Sequence, residues 1–213
     1  MELTLLSLYQ KMHRKMGPSG WWPADSKEEI IIGALMIQNT NWQNADKAVA
    51  NFQQKTGFDP EKITNLPMTE IQRLVRPAGF YKNKSKAVAA VFSWLAQFNF
   101  DYSRIHQSLG TNLRGTLLKL HGVGDETADV LRTYIFDDPT FIADKYARTL
   151  FTRLGVPNLS NYQSLAKQCS LGPDFTVAMA QDFHGLIDEF GKQYFHPATK
   201  FDQSFLCGDR LIL

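Results

Sequence analysis

The residues whose types and spacing most clearly indicate chemistry form a short stretch between two predicted helices, Leu120-His121-Gly122-Val123-Gly124. Its glycines permit a tight turn and remove side chains that would block the approach of another molecule. The helix predicted to begin at about Asp125 presents unsatisfied N–H groups and the positive end of its dipole, which together bind anions. The stretch therefore predicts a phosphate site, while a glycine-containing turn within a helical bundle is the alternative.

Helices must position these residues, because the dominant period of the sequence is helical and no sustained apolar–polar alternation predicts a strand. Ser26 and Glu29 form a predicted capping box, and Pro173 suits the first turn of a helix. The tail after Pro197 is predicted to pack as coil. The sequence thus predicts an all-α protein, with helices near 3–15, 26–37, 42–55, 59–65, 68–76, 82–98, 111–120, 125–136, 144–154, 161–170 and 173–194, and a short turn or helix near 101–109.

Composition restricts the classes of protein that the chain can belong to. Of 213 residues, 44% are hydrophobic and 21% charged, which supports a packed core. Two cysteines, Cys169 and Cys207, exclude a disulfide scaffold and any site that needs four thiolates. No apolar run approaches the length of a membrane span, and the amphipathic N-terminus lacks a signal-peptide cleavage site. We therefore expect a cytoplasmic protein, and the net charge of +2 indicates local rather than extensive phosphate contact.

The hairpin and the segments around it resemble a known family. The pattern around Gly122 and Gly124, with Ala128 in the second helix, resembles the helix–hairpin–helix element, which holds DNA phosphates without reading sequence. Asp144 follows in FDDPTFIADKYAR, and MIQNTNWQNADKAV (36–49) and RPAGFYKNKSKAV (76–88) precede the hairpin. In this order they resemble the endonuclease III-like DNA glycosylases of the HhH-GPD superfamily.

This resemblance implies an architecture and a set of roles. It implies two helical lobes, residues 25–138 and residues 1–24 with 139–213, the second of which carries the catalytic Asp144. It implies that Gln38 reaches into the gap left by a flipped nucleotide and that a lysine set contacts phosphate or wedges the duplex, although these lysines could be an ordinary solvated face. The implied DNA-contacting residues are Gln38, Gly122, Val123, Gly124, Thr127, Lys82 and Lys84.

Departures from the family pattern indicate one branch of it. Bifunctional members carry a Schiff-base lysine where this chain has Glu126, and the four cysteines of the family's iron–sulfur cluster are absent. The remaining pattern resembles the 3-methyladenine DNA glycosylases of the endonuclease III type. That branch can carry a lysine where this chain has Leu186, while Lys192 matches another lysine of the same helix. The implied base-binding residues are Trp21, Trp22, Pro23, Trp42, Glu126, Tyr146 and Lys192.

These residue types suit an alkylated purine, which carries a positive charge and is already a good leaving group. The base must leave the stack before its glycosidic bond can be reached. Tryptophan faces attract a cationic ring, so Trp21, Trp22 and Trp42 are candidate walls of a pocket, though each could instead be a core residue. Asp144 would stabilise the positive sugar and orient or deprotonate water, and it could also cap a helix. His184 is expected to be a buried histidine with satisfied hydrogen bonds.

The sequence therefore predicts a monofunctional glycosylase that excises alkylated purines, chiefly 3-methyladenine, from double-stranded DNA. The alternatives are a glycosylase for a mismatched or oxidised base and a non-catalytic DNA-binding module. We expect a monomer without cofactor, iron–sulfur cluster or metal site, associated with the bacterial nucleoid. A monovalent cation at the hairpin is left open.

Overall fold

The computed structural model describes all 213 residues, and helices dominate it. The prediction of an all-α fold is confirmed, since the only strands are β1 (Glu2–Leu3) and β2 (Arg210–Leu211), which pair in parallel. The helices are α1 (Leu5–Met16), α2 (Lys27–Met36), α3 (Trp42–Thr56), α4 (Pro60–Thr64), α5 (Met68–Val75), α6 (Tyr81–Ala96), α7 (Tyr102–Leu109), α8 (Leu113–Leu117), α9 (Asp125–Tyr134), α10 (Lys145–Arg153), α11 (Tyr162–Ala166) and α12 (Val177–Tyr194). Short 3-10 helices cover Arg76–Ala78, Gly110–Asn112 and Ala198–Gln203.

The chain divides into two compact units. The first unit combines residues 1–23 with 139–213, and the second unit is continuous from 24 to 138. The sequence placed the first of these boundaries one residue later, between 24 and 25. Asp144 and the paired tryptophans belong to the first unit, whereas the hairpin belongs to the second.

The first unit is built around the long helix α12. Its apolar side chains Phe183, Leu186, Ile187 and Phe190 are almost fully buried. They pack in one cluster with the apolar faces of α1 and α10, and aromatic rings are frequent among their partners. Burial of this many large side chains provides the main stabilisation of the unit, at roughly 1.5–3 kcal/mol for each.

The second unit packs α2 to α9 around a separate core. Helix α2 is buried along most of its length, from Ile31 to Met36, and therefore lies in the middle of the unit. Tyr102 on α7 is half-buried, with its hydroxyl hydrogen-bonded to the Glu28 carboxylate. Burial and this neighbouring negative charge both raise the pKa of Tyr102, so the phenol stays neutral.

Several details at element ends differ from the sequence prediction. Helix α12 begins at Val177 rather than near Pro173, because the Thr176 hydroxyl accepts the Met179 N–H and caps the helix there. Glu29 accepts the N–H of Asp25, so it does not close the predicted reciprocal box with Ser26. The tail beyond Pro197 is more regular than the predicted coil, since it contains a 3-10 helix and β2. None of the helices combines the length and apolar character that a membrane crossing requires.

Candidate active site and candidate DNA-contacting hairpin

Asp144 stands at the start of α10 and has two environments, one for each carboxylate oxygen. Its Oδ1 accepts the N–H of Ala147 at 2.7 Å, so the side chain caps the helix as the sequence suggested. Its Oδ2 lies 4.0 Å from Nε2 of His184 on α12. The side chain is 13% exposed, which leaves the carboxylate accessible yet held in a fixed orientation.

His184 is the residue near Asp144 whose role the sequence did not indicate. Burial, and secondarily the charge of Lys192, lower the pKa of His184 to about 4. The imidazole is therefore neutral at pH 7. A neutral imidazole adds no positive charge beside Asp144, which suits a carboxylate that has to stabilise a cationic sugar.

The lowered pKa of His184, whose side chain is 11% exposed, predicts a stability change in acid. Because the folded state lowers the pKa of His184 from 6.5 to about 4, the unfolded state binds more protons in that range. Stability is therefore retained above pH 6.5 and lost as the pH falls towards 4, by about 3 kcal/mol in total. Chemical denaturation at a series of pH values should show this loss in the wild type and a smaller slope in His184→Gln. His121→Gln, which alters an exposed histidine, should keep the wild-type slope; an unchanged slope in His184→Gln would contradict this assignment.

The tryptophan segment, residues 17–22, runs from the end of α1 and lies against α12. The rings of Trp21 and Trp22 are 5.4 Å apart and inclined by 49°, and both side chains are half-buried. The ring of Trp21 meets His184 edge-on at 6.4 Å, and Nζ of Lys192 lies 4.8 Å from its centre. Pro23, at the end of the unit's first segment, is exposed.

The charge of Lys192 beneath Trp21 is compensated by acidic neighbours on the same helix. Its Nζ lies 2.5 Å from Asp188 and 2.8 Å from Glu189. One ammonium and two carboxylates carry no net positive charge together, so the cluster does not repel a cation placed on Trp21. The sequence predicts a base contact by Lys192, and the structure places its ammonium group on the Trp21 ring.

Tyr146 also packs against α12, where a glycine allows a close approach. A Cβ at Gly191 would overlap the Tyr146 ring, so the glycine is needed for this contact. Burial and, secondarily, the Asp188 carboxylate raise the pKa of Tyr146, which keeps its phenol protonated. The half-buried ring stacks at a tilt on Phe195, 6.0 Å away.

In the second unit, α8 and α9 form the predicted hairpin. Gly122 has φ +79°, and a Cβ there would lie 2.5 Å from Cβ of Ala87 on α6. Gly124 precedes α9 without a side-chain cap, so the first N–H groups of α9 are not capped by that residue. Both glycines are exposed, as a phosphate-binding turn requires. Val123 and Thr127 are buried, which excludes a direct phosphate contact by their side chains in this arrangement. The Val123 N–H donates to the Leu120 carbonyl at 3.1 Å, so the structure does not present it to a phosphate either.

Gln38 braces this hairpin from the end of α2. Its Nε2 donates to the Gly122 carbonyl at 3.0 Å and to the Thr127 hydroxyl at 2.9 Å. The amide group therefore holds the turn in the unbound protein. A contact with the gap of a flipped nucleotide would have to replace these hydrogen bonds or use the remaining amide oxygen.

An arginine fork joins the two hairpin helices. Arg114 on α8 donates to both carboxylate oxygens of Asp129 on α9, at 2.8 and 3.0 Å, and to Asp125 at 2.8 Å. Asp129 is buried, and Arg132 also contacts it at 3.2 Å. Bidentate pairing of this kind fixes orientation as well as distance, so the start of α9 is held rigidly. No sequence pattern predicts this fork, because its partners are separated by a turn.

The predicted lysine set is split by the structure. Lys82 is exposed, but Lys84 is only 3% exposed and donates to the carbonyls of Met36 and Ala78, both at 2.7 Å. Burial lowers the pKa of Lys84 to about 8. The predicted phosphate contact by Lys84 is therefore wrong for this conformation, because its ammonium group stabilises backbone carbonyls instead. Phe80, for which the sequence predicts no individual role, is 66% exposed and lines the same groove as Gln38 and Gly122.

The remaining predicted base-binding residues lie in the second unit. Trp42 is half-buried at the first position of α3. Glu126 is exposed in the first turn of α9, where the helix dipole favours a carboxylate. Within the first unit, by contrast, Lys192, Trp21, His184 and Asp144 form a continuous row. No group of three or more His, Cys, Asp or Glu side chains is arranged to hold a metal ion.

Comparisons with known proteins agree with this arrangement. A relative from Methanocaldococcus jannaschii, MJ1434, whose name provisionally describes a DNA repair glycosylase, is 30% identical over 196 residues, which cover 89% of this chain and 88% of the relative. Endonuclease III of Bacillus subtilis is 28% identical over 134 residues, and the match covers 61% of this chain and about half, 55%, of that enzyme.

Solved structures show the same fold. The 3-methyladenine DNA glycosylase MagIII of Helicobacter pylori, solved with bound 1,N6-ethenoadenine, superposes with a TM-score of 0.72 at 23% identity, covering 90% of this chain and 98% of MagIII. An endonuclease III–DNA covalent intermediate gives a TM-score of 0.67 at 19% identity over 88% of this chain and 84% of that one. The model of the HhH-GPD superfamily base excision DNA repair proteins matches residues 32–173. With two thirds of its length inside that match, the chain belongs to the HhH-GPD superfamily and is a DNA glycosylase of base excision repair.

Proposed function

We propose that this glycosylase excises alkylated purines, chiefly 3-methyladenine, from double-stranded DNA, without lyase activity. The observation that carries the proposal is the row Lys192–Trp21–His184–Asp144 in the first unit. At one end of the row is the electron-rich Trp21 ring, and the charge of Lys192 beneath it is balanced by carboxylates. At the other end is the Asp144 carboxylate, beside the neutral imidazole of His184. A cationic purine gains more from such a ring than a neutral one does.

The reaction then needs little acid catalysis. The bond between the sugar C1′ and the alkylated purine breaks, and its electron pair leaves with the base. Asp144 stabilises the positive charge that develops on the sugar. Water adds to C1′ and its proton passes to the Asp144 carboxylate, so the products are a free base and an abasic site. Two features of the relatives support the choice of base: the name of MagIII and the ethenoadenine bound to it.

The experiment that tests the substrate is a panel of duplexes that differ only in one base. The panel contains 3-methyladenine, 7-methylguanine, 8-oxoguanine and a thymine–guanine mismatch. We expect release of 3-methyladenine to be fastest under single-turnover conditions. Faster release of the oxidised or mismatched base, with none of 3-methyladenine, would replace the proposed substrate by that lesion while leaving the family assignment intact.

The proposal also excludes a Schiff base at the hairpin. Glu126 occupies the position at which bifunctional members carry their lysine, and a carboxylate cannot form an imine. Borohydride added to a mixture of the protein and abasic DNA should therefore trap no covalent adduct. Efficient trapping would contradict the proposal, and its loss in Lys145→Ala would identify Lys145 as the amine.

The residues present do not fit an iron–sulfur cluster. Such clusters need four ligands, usually cysteine thiolates, and this chain has only two cysteines. Cys169 is buried, and burial raises the pKa of its thiol, while Cys207 is exposed. We therefore propose that the enzyme acts without a cluster, as a monomer on duplex DNA, and that helix packing alone maintains its first unit.

A further inference from the structure

The tryptophan segment has no regular secondary structure of its own, yet it carries the two rings proposed to meet the base. Gly17 and Gly20 within it have positive φ angles of 79° and 65°. A segment of this composition has many alternative conformations when it is not tied down. The contacts that hold it therefore decide whether its rings form a fixed wall or a mobile one.

The first contact is made by Asp182, at the second turn of α12. Its Oδ1 accepts the backbone N–H of Ser19 at 2.7 Å, and its Oδ2 lies 2.8 Å from Nδ1 of His13 on α1. Burial opposes the charge of this carboxylate, but the Ser19 N–H and His13 outweigh it and hold the pKa of Asp182 below its usual value. Hydrogen bonds to an ionised acceptor are about twice as strong as neutral ones.

The second contact lies one helical turn further along α12, on the same face. A Cβ at Gly185 would overlap Ser19 and Trp21, so the segment packs directly on the helix backbone at this glycine. The Trp21 N–H donates to the Ser19 hydroxyl at 3.3 Å. Ser19 thus links Asp182 to Trp21, because its N–H donates to Asp182 and its hydroxyl accepts from Trp21.

We propose that Asp182 is a positioning residue, which holds Ser19 and Trp21 against α12 at Gly185 and so forms the aromatic wall before DNA arrives. This proposal rests on the proposed function, because the wall matters only if it receives a base. In this proposal Asp182 acts through Ser19 and Trp21 and not directly on the base or on Asp144. Its effect is on binding, since a wall that is already ordered costs less to bring into contact with a ligand.

The test separates binding from chemistry. Single-turnover release of 3-methyladenine gives a half-saturating enzyme concentration and a maximal rate. In Asp182→Ala we expect the half-saturating concentration to rise about tenfold, the effect of losing one charge-assisted hydrogen bond, while the maximal rate stays within about threefold. Asp174→Ala, which removes an exposed carboxylate of the same unit, should leave both values unchanged. Equal falls in rate and affinity, or no change in either, would overturn the proposal.

A second measurement decides the matter if the alanine variant does not fold. Asp182→Asn preserves shape and removes the charge. Hydrogen exchange should become faster at Ser19 and its neighbours in the segment, while α12 keeps its protection. Unchanged exchange at Ser19 would overturn the proposal. Because exchange needs no substrate, this readout stands even if the wild type releases another base, so failure of the positioning role and failure of the proposed function are distinguishable.

Discussion

Replacement of Asp144 by asparagine should lower the single-turnover rate of base release by about 10²–10⁴-fold, the contribution typical of a positioned general base. An amide neither carries the negative charge that stabilises the sugar cation nor accepts the proton of water. Asparagine is as good a helix N-cap as aspartate, so the Ala147 N–H should keep its partner and α10 its start. The variant therefore removes chemistry with little change in stability.

The control for this experiment is the affinity for DNA. Asp144→Asn should bind duplex as tightly as the wild type does, whereas Asp144→Ala should also lose about 1 kcal/mol of stability with its cap. A rate in Asp144→Asn within a factor of ten of the wild-type rate would contradict the catalytic role. If the wild type bound DNA but released nothing, a DNA-binding module without activity would remain.

The second large effect is expected in the hairpin. Gly122→Ala places a side chain at φ +79°, which costs about 1–2 kcal/mol, and drives its Cβ into Ala87, which costs roughly another 1–3 kcal/mol. We expect the free energy of unfolding, measured by chemical denaturation, to fall by about 2–5 kcal/mol. The affinity for duplex DNA should fall as well, because the substitution displaces the exposed turn. The Gly122 carbonyl in that turn also accepts the hydrogen bond from Gln38.

Gly124→Ala is the matched control, since the two glycines are neighbours in the same turn. Gly124 has φ −93°, and a Cβ there meets nothing within 4 Å. Its stability should fall by less than about 1 kcal/mol. If DNA approaches this exposed turn, the same variant should still bind duplex more weakly. Equal stability losses in the two variants would show that the fit against Ala87 does not govern the hairpin.

The helical period of the apolar residues and the helix-breaking glycines and prolines predicted the fold closely. This is because the start of a helix depends on neighbouring residues, which the sequence shows directly. Ser26 and Asp144 cap the helices that they were expected to begin. Pro173 was misleading, since a proline suits a first turn but does not require one, and Thr176 provides the stronger cap. The order of the motifs along the chain predicted the family for a similar reason, because each motif consists of residues that are close together in the sequence.

Contacts between distant residues were not predictable in this way. Lys84 looked like an exposed lysine of a basic stretch, yet two carbonyls from separate segments bind its ammonium group. His184 and Asp182 are 40 and 163 residues from Asp144 and Ser19, so no spacing pattern links them. Helical periodicity could have placed Asp182, Gly185 and Lys192 on one face of α12, but not the segment packed on that face.

The measurement that tests the central claim most directly is chromatography, with mass identification, of the base released from methylated duplex DNA. The wild-type protein should release 3-methyladenine as a free base and leave an intact strand with an abasic site, and Asp144→Asn should release almost none. Strand cleavage without added base or amine, or release by Asp144→Asn at the wild-type rate, would contradict the account.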